Sequence, residues 1–270
     1  MNILKFIETF TDDSLMTRTG SRRDSFSQFG NIGKTLAYAS IPFGLSAMAN
    51  KALAKDITAT PATPIGALQF ALTLEYLENE FYAMALDSGV IPASENGGRD
   101  LKVFQQIAAH ESDHVSFLIA GLGGPGSANF VAKPTFDFTV GGAFDPFGDY
   151  PTFLALAQAF EDTGVRAYKG QAGNLITTPD LLTAALQIHS VEARHASEVR
   201  RLRGLKGWIS NAERGAGMPE ATQAVYAGEG VTMQAGYDTS KLFGAAAGSE
   251  AYDEPLGTQQ VVDIANLFIV

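Results

Sequence analysis

Between residues 66 and 205 the apolar positions fall into four long blocks, each too long and too dense for a strand. The first predicts a helix over 67–86, stopped by Asp87-Ser88-Gly89. The second predicts a helix over 100–122, closed by Gly123-Gly124-Pro125. The third covers 150–173, with Pro151 suited to a first turn, and the fourth covers 178–205, with Pro179 and Asp180 in its opening turn. The first two helices are joined by a short link, and the last two by a few residues. Between the second and third lies a long stretch, 123–149, whose Phe130, Val131, Phe136, Phe138 and Val140 predict a short strand or two. Short, long, short is the pattern of a bundle with one long crossover. The expected fold is all-α, a four-helix bundle with one long crossover.

The flanks read differently. Residues 56–65 are polar and carry two prolines, as a linker does. Residues 206–270 are rich in Gly and only weakly periodic, an irregular extension packed on the bundle that ends in a short apolar helix over 259–270. Residues 1–55 hold Ser21-Arg22-Arg23-Asp24-Ser25-Phe26, an uncharged run over 35–49 and the small-residue exits Ala47-Met48-Ala49 and Ala52-Leu53-Ala54. A helix of that uncharged length is about 22 Å long, shorter than a bilayer's roughly 30 Å hydrocarbon core. The order basic, apolar, small describes an export signal, and the arginine pair resembles a twin-arginine signal. The expectation is export to the periplasm or cell envelope. Residues 1–55 are then either removed or kept as an anchor associated with the membrane or envelope.

Composition narrows the chemistry. Hydrophobic residues make up 46% of the 270 and charged residues 18%, enough for a sizeable core. A net charge of -10, with no basic stripe beyond residue 55 apart from 200–206, argues against nucleic acid as a partner. There is no cysteine, so any bound metal must use His, Asp or Glu.

Two of the four histidines stand three residues after a glutamate, in Glu111-Ser112-Asp113-His114 and Glu192-Ala193-Arg194-His195. Three helical residues turn about 300°, so both side chains of each pair point into one space a turn apart. The other two helices each offer a glutamate after an apolar run, Glu75 and Glu161. Each also has a tyrosine nearly two turns on, Tyr82 and Tyr168, on the face of its own glutamate. A buried carboxylate needs a compensating charge, and two divalent cations would neutralise four. Glu75, Glu111, His114, Glu161, Glu192 and His195 are therefore the candidate ligands of two iron ions, or alternatively two manganese ions. Glu78 competes with Glu75. Tyr82, Tyr168, Glu78 and His189 are candidates for positions around the ligands. Asp113 and Asp162 adjoin ligands and serve either an imidazole or the surface. Arg200, Arg201, Arg203 and Lys206 complement the dipole at the end of the fourth helix.

The chain resembles the ferritin-like domain proteins, in the group that includes desiccation-related proteins. The segments Leu72-Thr73-Leu74-Glu75-Tyr76-Leu77-Glu78-Asn79-Glu80-Phe81-Tyr82, Phe160-Glu161-Asp162-Thr163-Gly164-Val165-Arg166-Ala167-Tyr168 and Ala251-Tyr252-Asp253-Glu254-Pro255-Leu256 carry the resemblance. It implies a ferritin-like bundle over 66–205 and chemistry of the oxidase, peroxidase or manganese-catalase kind. Dioxygen or hydrogen peroxide would be the substrate, and protection against oxidative or desiccation stress the outcome. A homo-oligomer is compatible with this reading. So is a structural protein whose metal site only braces the bundle or stays empty.

Overall fold

The computed structural model describes residues 56–94 and 98–270. The export-signal and anchor expectations fall on residues 1–55 and lie outside the described residues. Among the described residues no helix is long and apolar enough to cross a membrane.

Four helices form the bundle: α1 (Pro64–Ser88), α2 (Arg99–Gly121), α3 (Tyr150–Leu175) and α4 (Pro179–Leu202). Local chemistry sets their starts. The Thr63 hydroxyl accepts from Gly66 N at 3.1 Å, the Asp149 carboxylate accepts from Thr152 N at 2.9 Å, and prolines occupy the first turns of α1, α3 and α4. The fourth helix ends at Leu202, short of the expected 205, where the chain turns through Gly204.

α1 pairs with α2, α3 pairs with α4, and α1 crosses the core against α3. The C-terminal half of α1 meets the N-terminal half of α3 around Phe81, Phe153 and Phe160, so these two helices run antiparallel. A second apolar layer at the other end of the bundle joins Leu72, Leu118, Leu175 and Leu181 from all four helices. The acidic residues of the candidate site lie between these two layers.

α1 and α3 are buried on almost every side, and α3 without a break from Phe153 to Tyr168. Their outer faces are covered by the C-terminal extension, which packs Met218, Val225, Leu256, Val261 and Val262 onto Phe70, Leu74, Ala155 and Ala159. Burial all round explains why neither helix shows a narrow apolar stripe in the sequence. Gly170 permits this contact: a Cβ there would lie 2.0 Å from the Leu256 carbonyl oxygen.

The extension has more regular structure than its periodicity suggests. It holds a 3-10 helix (Glu220–Tyr226) and a hairpin of β1 (Met233–Gln234) and β2 (Tyr237–Asp238). Two further helices follow, α5 (Ser240–Ser249), kinked at Gly244, and α6 (Thr258–Ala265). The final helix stops at Ala265 instead of running to 270. The last residues form an antiparallel bridge from Ile269 to Phe136, with Asp137 N donating to Phe268 O at 2.8 Å. Among the described residues this bridge is the only extended pairing of the crossover, and it is made with the C-terminus, not within 123–149.

Buried polar pairs fasten the extension. Arg200 donates to Asp162 through Nε at 3.1 Å and Nη2 at 2.5 Å, and Tyr226 Oη donates to Asp162 Oδ2 at 2.8 Å. Arg166 pairs with Glu229 at 2.6 Å and donates to the carbonyls of Ala227 and Glu254. Two expectations are thereby corrected. Asp162 is neither an imidazole partner nor a surface residue, because it faces outward from α3 into the layer that the extension covers. Arg200 and Arg203 are not simple dipole partners, because they reach the extension: Arg203 bonds Gln158 and the Ala216 carbonyl.

Candidate metal centre

Each bundle helix contributes at its middle: Glu75 from α1, Glu111 and His114 from α2, Glu161 from α3, Glu192 and His195 from α4. All four glutamates are completely inaccessible to solvent, and both histidines are buried. The six form two overlapping groups. Glu75, Glu111, His114 and Glu192 make one; Glu111, Glu161, Glu192 and His195 make the other. Within each group one donor atom per residue lies within 4.8 Å of every other. Glu111 and Glu192 belong to both, so the arrangement has two lobes joined by two carboxylates.

The contacts follow this plan. His114 Nδ1 lies 3.2 Å from Glu75 Oε2, 3.2 Å from Glu111 Oε2 and 2.9 Å from Glu192 Oε1. His195 Nδ1 lies 3.0 Å from Glu111 Oε1, 3.3 Å from Glu161 Oε2 and 3.1 Å from Glu192 Oε2. Metal–ligand bonds of about 2.0–2.2 Å set at right angles place adjacent donors about 3 Å apart. The nitrogen–oxygen distances match that edge length. Three of the oxygens, Glu111 Oε1, Glu161 Oε2 and Glu192 Oε1, are buried and accept no hydrogen bond. Each of the three has a buried imidazole nitrogen as its close polar neighbour without a well-formed hydrogen bond to it. Donors that converge in this way fit a pair of cations, and oxygen with imidazole nitrogen suits iron or manganese.

The electrostatics show what a cation would relieve. Burial drives Glu75 well above the ordinary carboxylate range, and lifts Glu161 to about 8 against the pull of His195. Burial opposes charge on the imidazoles too. The surrounding carboxylates outweigh it and hold His114 and His195 well above their usual value. Burial also acts to raise Glu111, and both histidines override it to bring this carboxyl below the usual range. Binding of divalent cations would displace these protons.

The tyrosines are crossed. Tyr168 Oη donates to Glu75 Oε1 at 2.5 Å and Tyr82 Oη donates to Glu161 Oε1, so each phenol serves the glutamate of the opposite helix, not its own. Glu78 is buried next to the cluster but belongs to neither group. Burial first, then Glu192, Glu161, Glu111 and Glu75, push it well up. Gly164 makes room for it: a Cβ there would stand 3.3 Å from Glu78 Oε1. Glu80 is paired at the surface with Lys133. His189 lies off the cluster, half-buried against the Val165 backbone, and Asp113 is exposed.

One residue escaped the sequence. His110 Nδ1 sits 2.8 Å from His195 Nε2, with the two rings stacked 5.1 Å apart, and its Nε2 lies 2.8 Å from Gln106 Nε2. Its outer-nitrogen contact orients His195 so that Nδ1 faces the cluster. Adjacency to Glu111 was the only sequence signal, since α4 has Val191 at the corresponding place before Glu192.

No curated protein matches the sequence. The family model described as "Ferritin-like domain" matches residues 63–205, more than half of the chain and all four bundle helices, so the chain belongs to the ferritin-like domain family.

Proposed function

We propose that the protein holds two iron or two manganese ions and reacts with dioxygen or hydrogen peroxide, in protection against oxidative or desiccation stress. The observation that carries this reading is the pair of donor groups sharing Glu111 and Glu192. When bound, such a pair of ions supplies electron exchange with dioxygen or peroxide. The chain's own residues do the rest. Four carboxylates balance the charge of two divalent cations in an apolar interior. Tyr168 and Tyr82 fix the carboxylates of Glu75 and Glu161, and His110 fixes His195. The apolar layers at either end, around Phe153 and Leu72, keep bulk water out. The arginine pair and uncharged run of residues 1–55 support export to the periplasm or envelope as part of the same proposal.

A second reading has its own support. The imidazoles held charged by carboxylates and the phenols bound to Glu75 and Glu161 give the cluster internal pairing, as suits a bundle whose site is structural or empty. Metal content and turnover separate the two. The first reading expects two iron or manganese ions per chain and consumption of dioxygen or peroxide by the loaded protein. Two ions without turnover leave the structural reading, and no metal at all rejects the first.

A further inference from the structure

Among the described residues, outside the metal centre, a cavity of about 170 Å³ lies where the crossover, α3, the 3-10 helix and the C-terminus meet. Val140 and Phe144 wall it from the crossover, Phe160 from α3, Val225 from the 3-10 helix, and Ile264 and Phe268 from the C-terminal end. Its mouth is formed by residues that solvent reaches, Ala143, Ala221 and Leu267. Its one polar wall side chain is Thr222, whose hydroxyl already donates to Pro219 O at 2.7 Å. A water molecule needs two to four polar partners, which this wall does not offer, whereas apolar cavities of about 150 Å³ take up benzene or xenon.

The rim is held in a costly shape. Val140 adopts a left-handed backbone (φ 49°), which a β-branched residue rarely does. The Asp137 carboxylate enforces it, accepting from Thr139 N at 2.9 Å, Thr139 Oγ1 at 2.6 Å and Gly141 N at 2.7 Å. Strain that its surroundings over-determine gathers at ligand clamps. The inner wall matters as well. Phe160, Ile264 and Phe268 also close a second, smaller cavity of about 20 Å³ that ends on Glu78 and Gly164. The large chamber is thus one layer of side chains away from a cavity that touches Glu78, the buried carboxylate next to the metal centre.

We infer that the chamber is a binding site for a small apolar molecule of about the size of benzene, seated beside the metal centre. The inference goes beyond the proposed function and stands whether or not the cluster takes up metal.

Crystals of the full chain under xenon pressure, and others equilibrated with benzene, test it directly. Xenon and benzene density between Phe144, Phe160 and Phe268 is the expected result, together with a saturable rise of the melting temperature on adding benzene. Ala221→Trp at the exposed mouth should keep or raise the melting temperature without benzene and weaken benzene binding about tenfold or more, by filling the apolar space. Ordered water in the chamber, probe density only elsewhere (for example beside Tyr168 in the apolar cavity at the other end of the bundle), or unaltered benzene affinity in the variant would each overturn the proposal. If the variant does not fold, the xenon map of the unaltered chain decides alone.

Discussion

Tyr168 of α3 donates its phenol proton to Glu75 of α1 at 2.5 Å, across the core and not along its own helix. Tyr82 of α1 returns the same contact to Glu161 of α3. Both partners are buried, so removing the hydroxyl leaves a carboxylate oxygen without a donor, at a cost of about 1–3 kcal/mol. Tyr168→Phe should lower the urea stability of the metal-free chain by that amount. It should also weaken metal binding by about 10–100-fold, the usual effect of losing a ligand's orienting partner. Denaturant titration and calorimetric metal titration read the two effects separately. An unchanged metal affinity would reduce Tyr168 to a packing residue.

The shared carboxylates make a stoichiometric prediction. Glu111 serves both donor groups and Glu75 only one. Glu111→Gln should therefore weaken binding of both ions together, whereas Glu75→Gln should leave one ion per chain. Glu78→Gln should keep both, because Glu78 stands outside the groups. Metal content after equilibration with Fe(II) or Mn(II) and desalting checks all three. Loss of an ion from the Glu78 variant with two retained in the Glu75 variant would move the ligand role one turn along α1.

The reason for the crossed tyrosines also explains what the sequence could and could not disclose. The two Glu-x-x-His pairs are legible because a spacing of three residues fixes both donors on one face of one helix. The tyrosines are legible as to place, since each lies two turns from a glutamate, but not as to partner. Partnership depends on α1 and α3 running antiparallel: stepping forward from Glu75 to Tyr82 is stepping back from Tyr168 to Glu161. The partnership of Asp162 and Arg200 is not legible in the sequence, for a related reason. Their contact is tertiary, and it lies under an extension whose short elements (a 3-10 helix, a two-residue hairpin, a kinked helix) carry too little periodicity to show that they form a packing layer. His110 had no repeat in α4 to draw attention to it.

That buried pair gives a third prediction. Arg200 and Asp162 are both almost completely inaccessible, and Tyr226 from the extension completes the cluster. Burial raises the Asp162 carboxyl, and Arg200 and Tyr226 act to draw it back. Arg200→Met removes the cation and strands the carboxylate, which costs about 3–5 kcal/mol in a buried pair. The double variant Arg200→Met with Asp162→Leu should recover most of the loss, since no charge is then left buried. Limited proteolysis should detect the single variant first within 207–256, where the extension loses its anchor on α3. Equal stability of single and double variants would show that the pair contributes packing alone.

The pH dependence of stability should differ in sign from what metal-loaded protein shows. In the metal-free chain the folded state holds Glu161 at about 8, above the ordinary carboxyl value of 4.5, so folded protein binds more protons than unfolded protein between these values. Stability then falls as pH rises, by about 1.4 kcal/mol per unit for each such group. Glu75, raised by burial, acts in the same direction. His114 and His195, raised by their carboxylate neighbours, also contribute stability that is complete below the ordinary histidine value and lost as pH rises through the folded one. Glu111 and Glu192 act in the opposite sense, being lowered, and their contribution disappears as pH falls below the usual carboxylate range. The metal-free protein should therefore be most stable in mild acid and weaken toward pH 8. Two divalent cations take the place of those protons and bind better as the protons leave, so the rise in melting temperature on metal loading should be larger at pH 8 than at pH 5. Thermal melts across that range, with metal and with chelator, measure the difference. A metal-induced shift that shrinks as pH rises would mean that the cations bind somewhere other than these carboxylates.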